Sequence, residues 1–108
     1  MFFVTYRNVL QPGRTLDEYR RGLAHVWPTL KGWGAVRVEM YQQLYDESGA
    51  FFTRYTIRSL DEWNAHVMGP EFSRQMAHLA SILDLSQSKV EVGVALETGL
   101  SPEGEKNP

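Results

Sequence analysis

The segment Ser59–Leu83 restricts the fold more than any other part of the chain. It contains two helical pieces separated by Gly69-Pro70. Ser59 stands before Leu60, and Glu62 follows three residues later, the spacing of a capping box. Leu60, Trp63 and Val67 share one face of a first short helix. Proline removes a backbone donor and disfavours a helical residue before it, so the helix stops at Gly69-Pro70. Pro70 also suits the first turn of a new helix. Phe72, Met76, Leu79 and Leu83 form the apolar stripe of that second helix. A bent helix with one apolar side must lie on a surface, and the flanking segments supply strands.

Phe2 to Leu10 alternates and is rich in aromatic and branched residues, as a strand is. Phe2, Val4, Tyr6 and Asn8 point one way; Phe3, Thr5, Arg7 and Val9 point the other. Gln11-Pro-Gly-Arg14 is a turn. Thr15 and Glu18 form a second capping box. Leu16, Tyr19, Leu23, Val26, Trp27 and Leu30 then fall at helical core spacing, with Pro28 shortening or kinking the last turn. Ala35 to Tyr45 alternates again, Asp46–Gly49 reads as a hairpin turn, and Ala50 to Arg58 is the return strand. Lys89 to Leu96 is the last strand. The tail 97–108 has no periodicity and is expected to be disordered, leaving residues 1–96 as the domain.

The order strand, helix, strand, strand, helix, strand predicts an α+β, ferredoxin-like βαββαβ fold. A four-stranded antiparallel sheet carries both helices on one face. The helix side takes Val4, Val36, Val38, Met40, Ile57, Val90, Val92 and Val94. The outer face takes Phe3, Arg7, Arg37, Glu39, Tyr41, Phe52, Arg54, Arg58, Lys89 and Glu91. Phe3, Tyr41 and Phe52 would form an exposed apolar patch there, and such patches mark contacts. The expectation is a two-fold homodimer, sheet against sheet.

Composition narrows the function classes. The 108 residues, 43% of them hydrophobic, suffice for one modest core. Eleven Lys+Arg against 13 Asp+Glu, a net charge of −2, provide no basic run for nucleic acid. With no cysteine there is no disulfide framework and no thiolate site. No apolar run approaches a membrane span, so a cytoplasmic protein with neither membrane nor nucleic-acid partner is expected. Three histidines scattered over different helices give no metal-binding spacing, so no metal is expected.

Ala65-His-Val-Met-Gly-Pro-Glu-Phe72, preceded by a strand ending Tyr55-Thr-Ile-Arg-Ser59, resembles the Ala-His-…-Pro-His-Phe segment of antibiotic biosynthesis monooxygenase-like domains. Those domains belong to the dimeric α+β barrel superfamily. The likeness of element order runs over residues 1 to 96, and Pro12-Gly13 falls where the family often has Pro-Gly or Lys-Gly. Glu71 stands where the family usually has histidine. The haem-degrading members use an asparagine, a tryptophan and a haem-ligating histidine at positions that fall here on Tyr6, His66 and Met76. None matches, so the resemblance does not extend to haem chemistry.

What the resemblance implies instead is a cofactor-independent oxygenase, needing no bound cofactor, in which the anion of an aromatic or polyketide-like substrate activates oxygen itself. Such a site needs aromatic walls, polar anchors and a proton acceptor. Trp27, Trp63, Phe72 and Met76 are the candidate walls. Tyr6, Asn8 and His66 are the candidate catalytic groups: Tyr6 and Asn8 are the polar members of an otherwise apolar strand row, and histidine is the residue type that most often serves as a general acid or base. Each also has a plainer reading. Aromatics at helical spacing are usually core, and a histidine at a helix edge only caps or solvates. The competing class is a non-catalytic dimer that binds a small ligand or serves as an interaction module. A cavity of about 300 Å³ or more between sheet and helices separates an enzyme or binder from a filled interaction module.

Overall fold

A computed structural model describes residues 1–100. The elements run β1 (Phe2–Asn8), α1 (Leu16–Gly32), β2 (Ala35–Tyr41), β3 (Phe51–Ile57), α2 (Leu60–Val67), α3 (Glu71–Ile82) and β4 (Lys89–Val94). A single 3-10 turn, Leu85–Gln87, joins α3 to β4. The sheet order is β2-β3-β1-β4, and every neighbouring pair is antiparallel. This is the ferredoxin-like α+β fold, with the helices on one side of the sheet. The expected tail 97–108 has its last part, residues 101–108, outside the described residues.

Local chemistry explains the helix ends. The Glu18 N–H donates to Thr15 Oγ1 (3.2 Å) and the Thr15 N–H to Glu18 Oε1 (3.0 Å), a complete capping box. At α2 only half of the expected box forms. The Glu62 N–H donates to Ser59 Oγ (3.2 Å), but the Glu62 carboxylate turns to Arg58, which donates through Nε (3.2 Å) and Nη2 (2.8 Å). A two-pronged guanidinium contact displaces the single backbone bond. Pro28 does not end α1, which continues through it to Gly32. The break at Met68-Gly69-Pro70 separates α2 from α3.

The buried core joins Val4 on β1, Phe51, Tyr55 and Ile57 on β3, Tyr19, Leu23, Val26 and Leu30 on α1, Trp63 on α2, and Leu79 and Ile82 on α3. Each such side chain contributes about 1.5–3 kcal/mol on burial. α1 and α3 approach closely at Gly22, where an added Cβ would stand 3.0 Å from Leu79 Cδ1.

Three strand expectations are corrected. The β2–β3 connection is longer than a tight hairpin turn: β2 stops at Tyr41, and Leu44 and Tyr45 stand almost fully in solvent. Asp46 shapes this loop by accepting from the Ser48 N–H (2.9 Å). Val36 is not on the helix side. An irregularity between Ala35 and Arg37 pairs those two residues with Ile57 and Thr56, and Val36 is left 46% exposed. Val90, Val92 and Val94 do share the helix-side face with Tyr6, Val4 and Phe2, their register partners. They nevertheless stay 56–58% exposed, because β4 is an edge strand beyond the helical cover. Val38 and Met40 pack against the core as expected.

Candidate functional site

The space between sheet and helices is not filled. A cavity of about 440 Å³ lies there. β1 provides Tyr6 and Asn8, β3 provides Tyr55, and α1 provides Tyr19 and Leu30. α2 contributes Trp63, and α3 contributes Phe72, Ser73, Met76, Leu79 and Ala80. Leu83, Leu85 and Ser88 close the end where the chain passes from α3 to β4. The strand period puts Tyr6, Asn8, Thr53 and Tyr55 on one face of the sheet, and the helix break lets α2 and α3 each present an apolar side to it.

The aromatic walls brace one another. Tyr6 meets Tyr55 edge to face, with centroids 5.9 Å apart, and Tyr55 meets Trp63 at 5.5 Å. Trp33, buried just after α1, contacts Trp63 (6.1 Å), Phe72 (5.9 Å) and His66 (5.3 Å). Such pairs contribute about 0.5–1.5 kcal/mol each beyond burial.

Beneath the aromatics is a buried polar cluster. The Tyr19 hydroxyl and Thr53 Oγ1 are 2.7 Å apart and share one hydrogen bond. Asn8 Nδ2 donates to Thr53 Oγ1 (3.3 Å) and to the Tyr19 hydroxyl (3.4 Å). Burial raises the Tyr6 phenol above its usual 10.0, partly offset by Trp63. Burial likewise raises Tyr19, offset by hydrogen bonds from Thr53, Tyr55 and Asn8. Tyr55 is pushed well above 10.0 by burial, then by the neighbouring Tyr19 and Tyr6 phenols. All three remain neutral at ordinary pH, so they act as hydrogen-bonding groups and not as phenolate bases.

Of the candidate residues named from sequence, the structure brings Tyr6, Asn8, Trp63, Phe72 and Met76 together on this cavity. Two are elsewhere. Trp27 is half-buried against the core, one position round α1 from the buried Val26, and lines no part of the cavity. His66 is exposed on α2, stacked on Trp33 with the rings 6° from parallel, and is likewise absent from the cavity wall. Trp63 and Val67 occupy the inward side of α2, which turns His66 outward. Tyr19, Tyr55, Thr53 and Ser88 were not singled out as site residues. Thr53 and Tyr55 carried a readable signal, since they alternate with Phe51 and Ile57 in the β3 row that pairs with Tyr6 and Val4.

No lining residue is charged and none is a histidine. Among the described residues, no three His, Asp or Glu side chains gather as a metal site. No described helix is long and apolar enough to cross a membrane.

No protein-family model and no curated protein matches the sequence. Solved structures do match the fold. The cofactor-independent oxygenase SnoaB from Streptomyces nogalater superposes with a TM-score of 0.67 at 14% identity, over 90% of this chain and 94% of that one. A proposed antibiotic biosynthesis monooxygenase from Bordetella bronchiseptica gives 0.71 at 12% identity, over 89% and 97%. Rv0793 from Mycobacterium tuberculosis gives 0.62 at 19% identity, over 89% and 94%. The fold is that of the antibiotic biosynthesis monooxygenase-like structures. At these identities the likeness is one of fold, and the chemistry of this chain must be argued from its own cavity.

Proposed function

We propose that the cavity binds a flat aromatic or polyketide-like compound that ionises readily, and that the protein is a cofactor-independent monooxygenase acting on it. The observation that carries this reading is the cavity itself. It is of ligand size, has apolar and aromatic walls, and has a few convergent neutral polar groups on its sheet side. The likeness to SnoaB in fold supports the same class.

In the reading, the substrate arrives as its own anion, because no carboxylate or imidazole lines the cavity to remove a proton. The Tyr6 and Tyr55 hydroxyls hold that anion by hydrogen bonds in a largely apolar site, while Asn8, whose amide donates to Thr53 and Tyr19, braces the polar cluster beneath them. The carbanion gives one electron to dioxygen, and the resulting radical pair closes a carbon–oxygen bond. Protonation yields a hydroperoxide. Loss of water from it leaves a carbonyl, so one oxygen atom enters the substrate and the other leaves as water. Trp63, Phe72 and Met76 position the ring system. The test is oxygen uptake with a panel of hydroxyquinones and catechols and no added cofactor. Uptake with a product carrying one new oxygen atom supports the reading.

One observation favours a second reading, a ligand-binding protein without catalysis: the neutral cavity can hold a ligand yet offers no proton acceptor. Tight binding of panel compounds without oxygen uptake would select it.

We infer further that the working unit is a homodimer joined through the outer sheet face. On that face Tyr41 stacks on Phe52 (5.0 Å, 9°), and Arg54 lies over the Phe3 ring (5.1 Å). Arg54 Nη2 also donates to Glu39 Oε1 (3.0 Å). Arg54 and Glu39 are thus paired within the protomer, and beside them Phe3, Tyr41 and Phe52 leave an aromatic patch that a second copy can cover.

A further inference from the structure

Ser88 holds a buried hydroxyl that the protein itself leaves without a partner. Its Oγ is shielded from solvent and makes no hydrogen bond among the described residues. Burying such a group without compensation is unfavourable, so an orphan of this kind calls for an explanation. Ser88 also lines the cavity.

Its position is fixed from both sides. The Ser88 N–H donates to the Leu85 carbonyl (3.2 Å), which ends the 3-10 turn. Asp84 holds that turn by accepting from the Ser86 N–H (3.2 Å) and from Gln87 Nε2 (2.7 Å). Arg7 Nη1 donates to the Gln87 carbonyl (3.1 Å). The next residue, Lys89, pairs with Arg7, and one further step of that antiparallel ladder sets Ser88 across from Asn8. Both residues fall on the helix side of the sheet, and both line the cavity. Around them stand Leu83 and Leu85, which offer nothing polar from their side chains.

We propose that Ser88 Oγ is a ligand anchor: with Asn8 it forms the polar end of the cavity and binds an oxygen substituent on the rim of a flat apolar ring system. This rests on the reading of the cavity as a ligand site and specifies the ligand. Tyr6 lies two residues along β1 from Asn8, roughly 7 Å at the strand rise. A ring system with oxygen functions at two separated edges meets both ends, one at Tyr6 and one at Ser88. A hydrocarbon of the same shape leaves Ser88 unsatisfied.

The test compares 1,5-dihydroxynaphthalene, with an oxygen at each of two separated edges, and 1-naphthol, with one, by calorimetric titration. Wild type binds the diol more tightly than 1-naphthol. Ser88→Ala lowers that preference by roughly 2- to 12-fold, the effect of one hydrogen bond, and melts at or above the wild-type temperature. Ser88→Thr, which keeps the hydroxyl, retains the preference. If both probes bind and Ser88→Ala leaves the preference unchanged, the anchor is overturned while the ligand site stands. If Ser88→Ala melts below wild type, the hydroxyl has a structural partner and the anchor is again overturned. If neither probe binds wild type, the ligand site falls and the anchor with it.

Discussion

Trp33 and His66 stack ring on ring, with centroids 5.3 Å apart and planes 6° from parallel. The contact fixes His66 on the outer side of α2, over a tryptophan that itself braces Trp63 and Phe72. His66 therefore supports the cavity wall from behind and does not reach into it. His66→Ala should leave ligand binding and any oxygen uptake within about twofold. It should cost about 0.5–1.5 kcal/mol of stability, the worth of one aromatic pair. Parallel denaturation and activity curves check this. A loss of activity near 100-fold at unchanged stability would restore His66 as a general base.

The neutral phenols predict a pH dependence at alkaline pH. Tyr6, Tyr19 and Tyr55 all have folded values raised above 10.0. A raised phenol binds its proton more tightly in the folded state than in the unfolded one. Its contribution is fully present below pH 10 and is lost as pH rises through the folded value. Stability should hold to about pH 10 and then fall, with a share of the five tyrosines ionising only as the fold opens. Ultraviolet titration at the phenolate band, run alongside circular dichroism, follows both events. Ionisation of all five tyrosines with the fold intact would contradict the burial of these three.

The polar cluster gives a stability prediction. Tyr19→Phe removes the partner that Thr53 holds at 2.7 Å and that Asn8 also contacts. The buried Thr53 and Asn8 then lose one bond each, at a cost of about 1–3 kcal/mol. The melting temperature should drop by roughly 4–8 °C for each kcal/mol in a domain of this size. An unchanged melting temperature would mean that the cluster contributes nothing to the fold.

Much of the fold was legible because its signals are local. Thr15 with Glu18, the break at Gly69-Pro70, and the alternation of β1 and β3 each depend on a few neighbouring residues. What failed depended on distant ones. The valines of β4 alternate as buried residues do, yet alternation cannot say whether a helix lies above an edge strand. The slip of Val36 follows from how Ala35 and Arg37 pair with β3, which β2 alone does not encode. In the site, Tyr6 and Asn8 stood out as polar residues in an apolar row. The same argument applied to β3 would have found Thr53 and Tyr55. His66 and Trp27 lie off the cavity, because type and spacing do not fix which way a side chain turns. Nothing in the sequence singles out Trp33 or Ser88. Their roles come from packing against α2 and across β1.

The outer face predicts oligomeric state. Light scattering should give twice the protomer mass at micromolar concentration. Phe52→Glu should shift it towards the protomer, because an unpaired carboxylate in an interface core is strongly unfavourable. A monodisperse wild-type monomer would remove the case for the sheet-to-sheet dimer.

The central claim is that the cavity between sheet and helices is where chemistry occurs. The most direct measurement is oxygen uptake by wild type and by Met76→Trp, whose larger side chain fills the cavity that Met76 lines. Both proteins are assayed on the same hydroxyquinone panel, without cofactor, with melting temperatures recorded in parallel. The account predicts uptake by wild type and a loss of about 100-fold or more in a Met76→Trp protein that still folds. Equal uptake by the two folded proteins, or none by wild type across the panel, would contradict it.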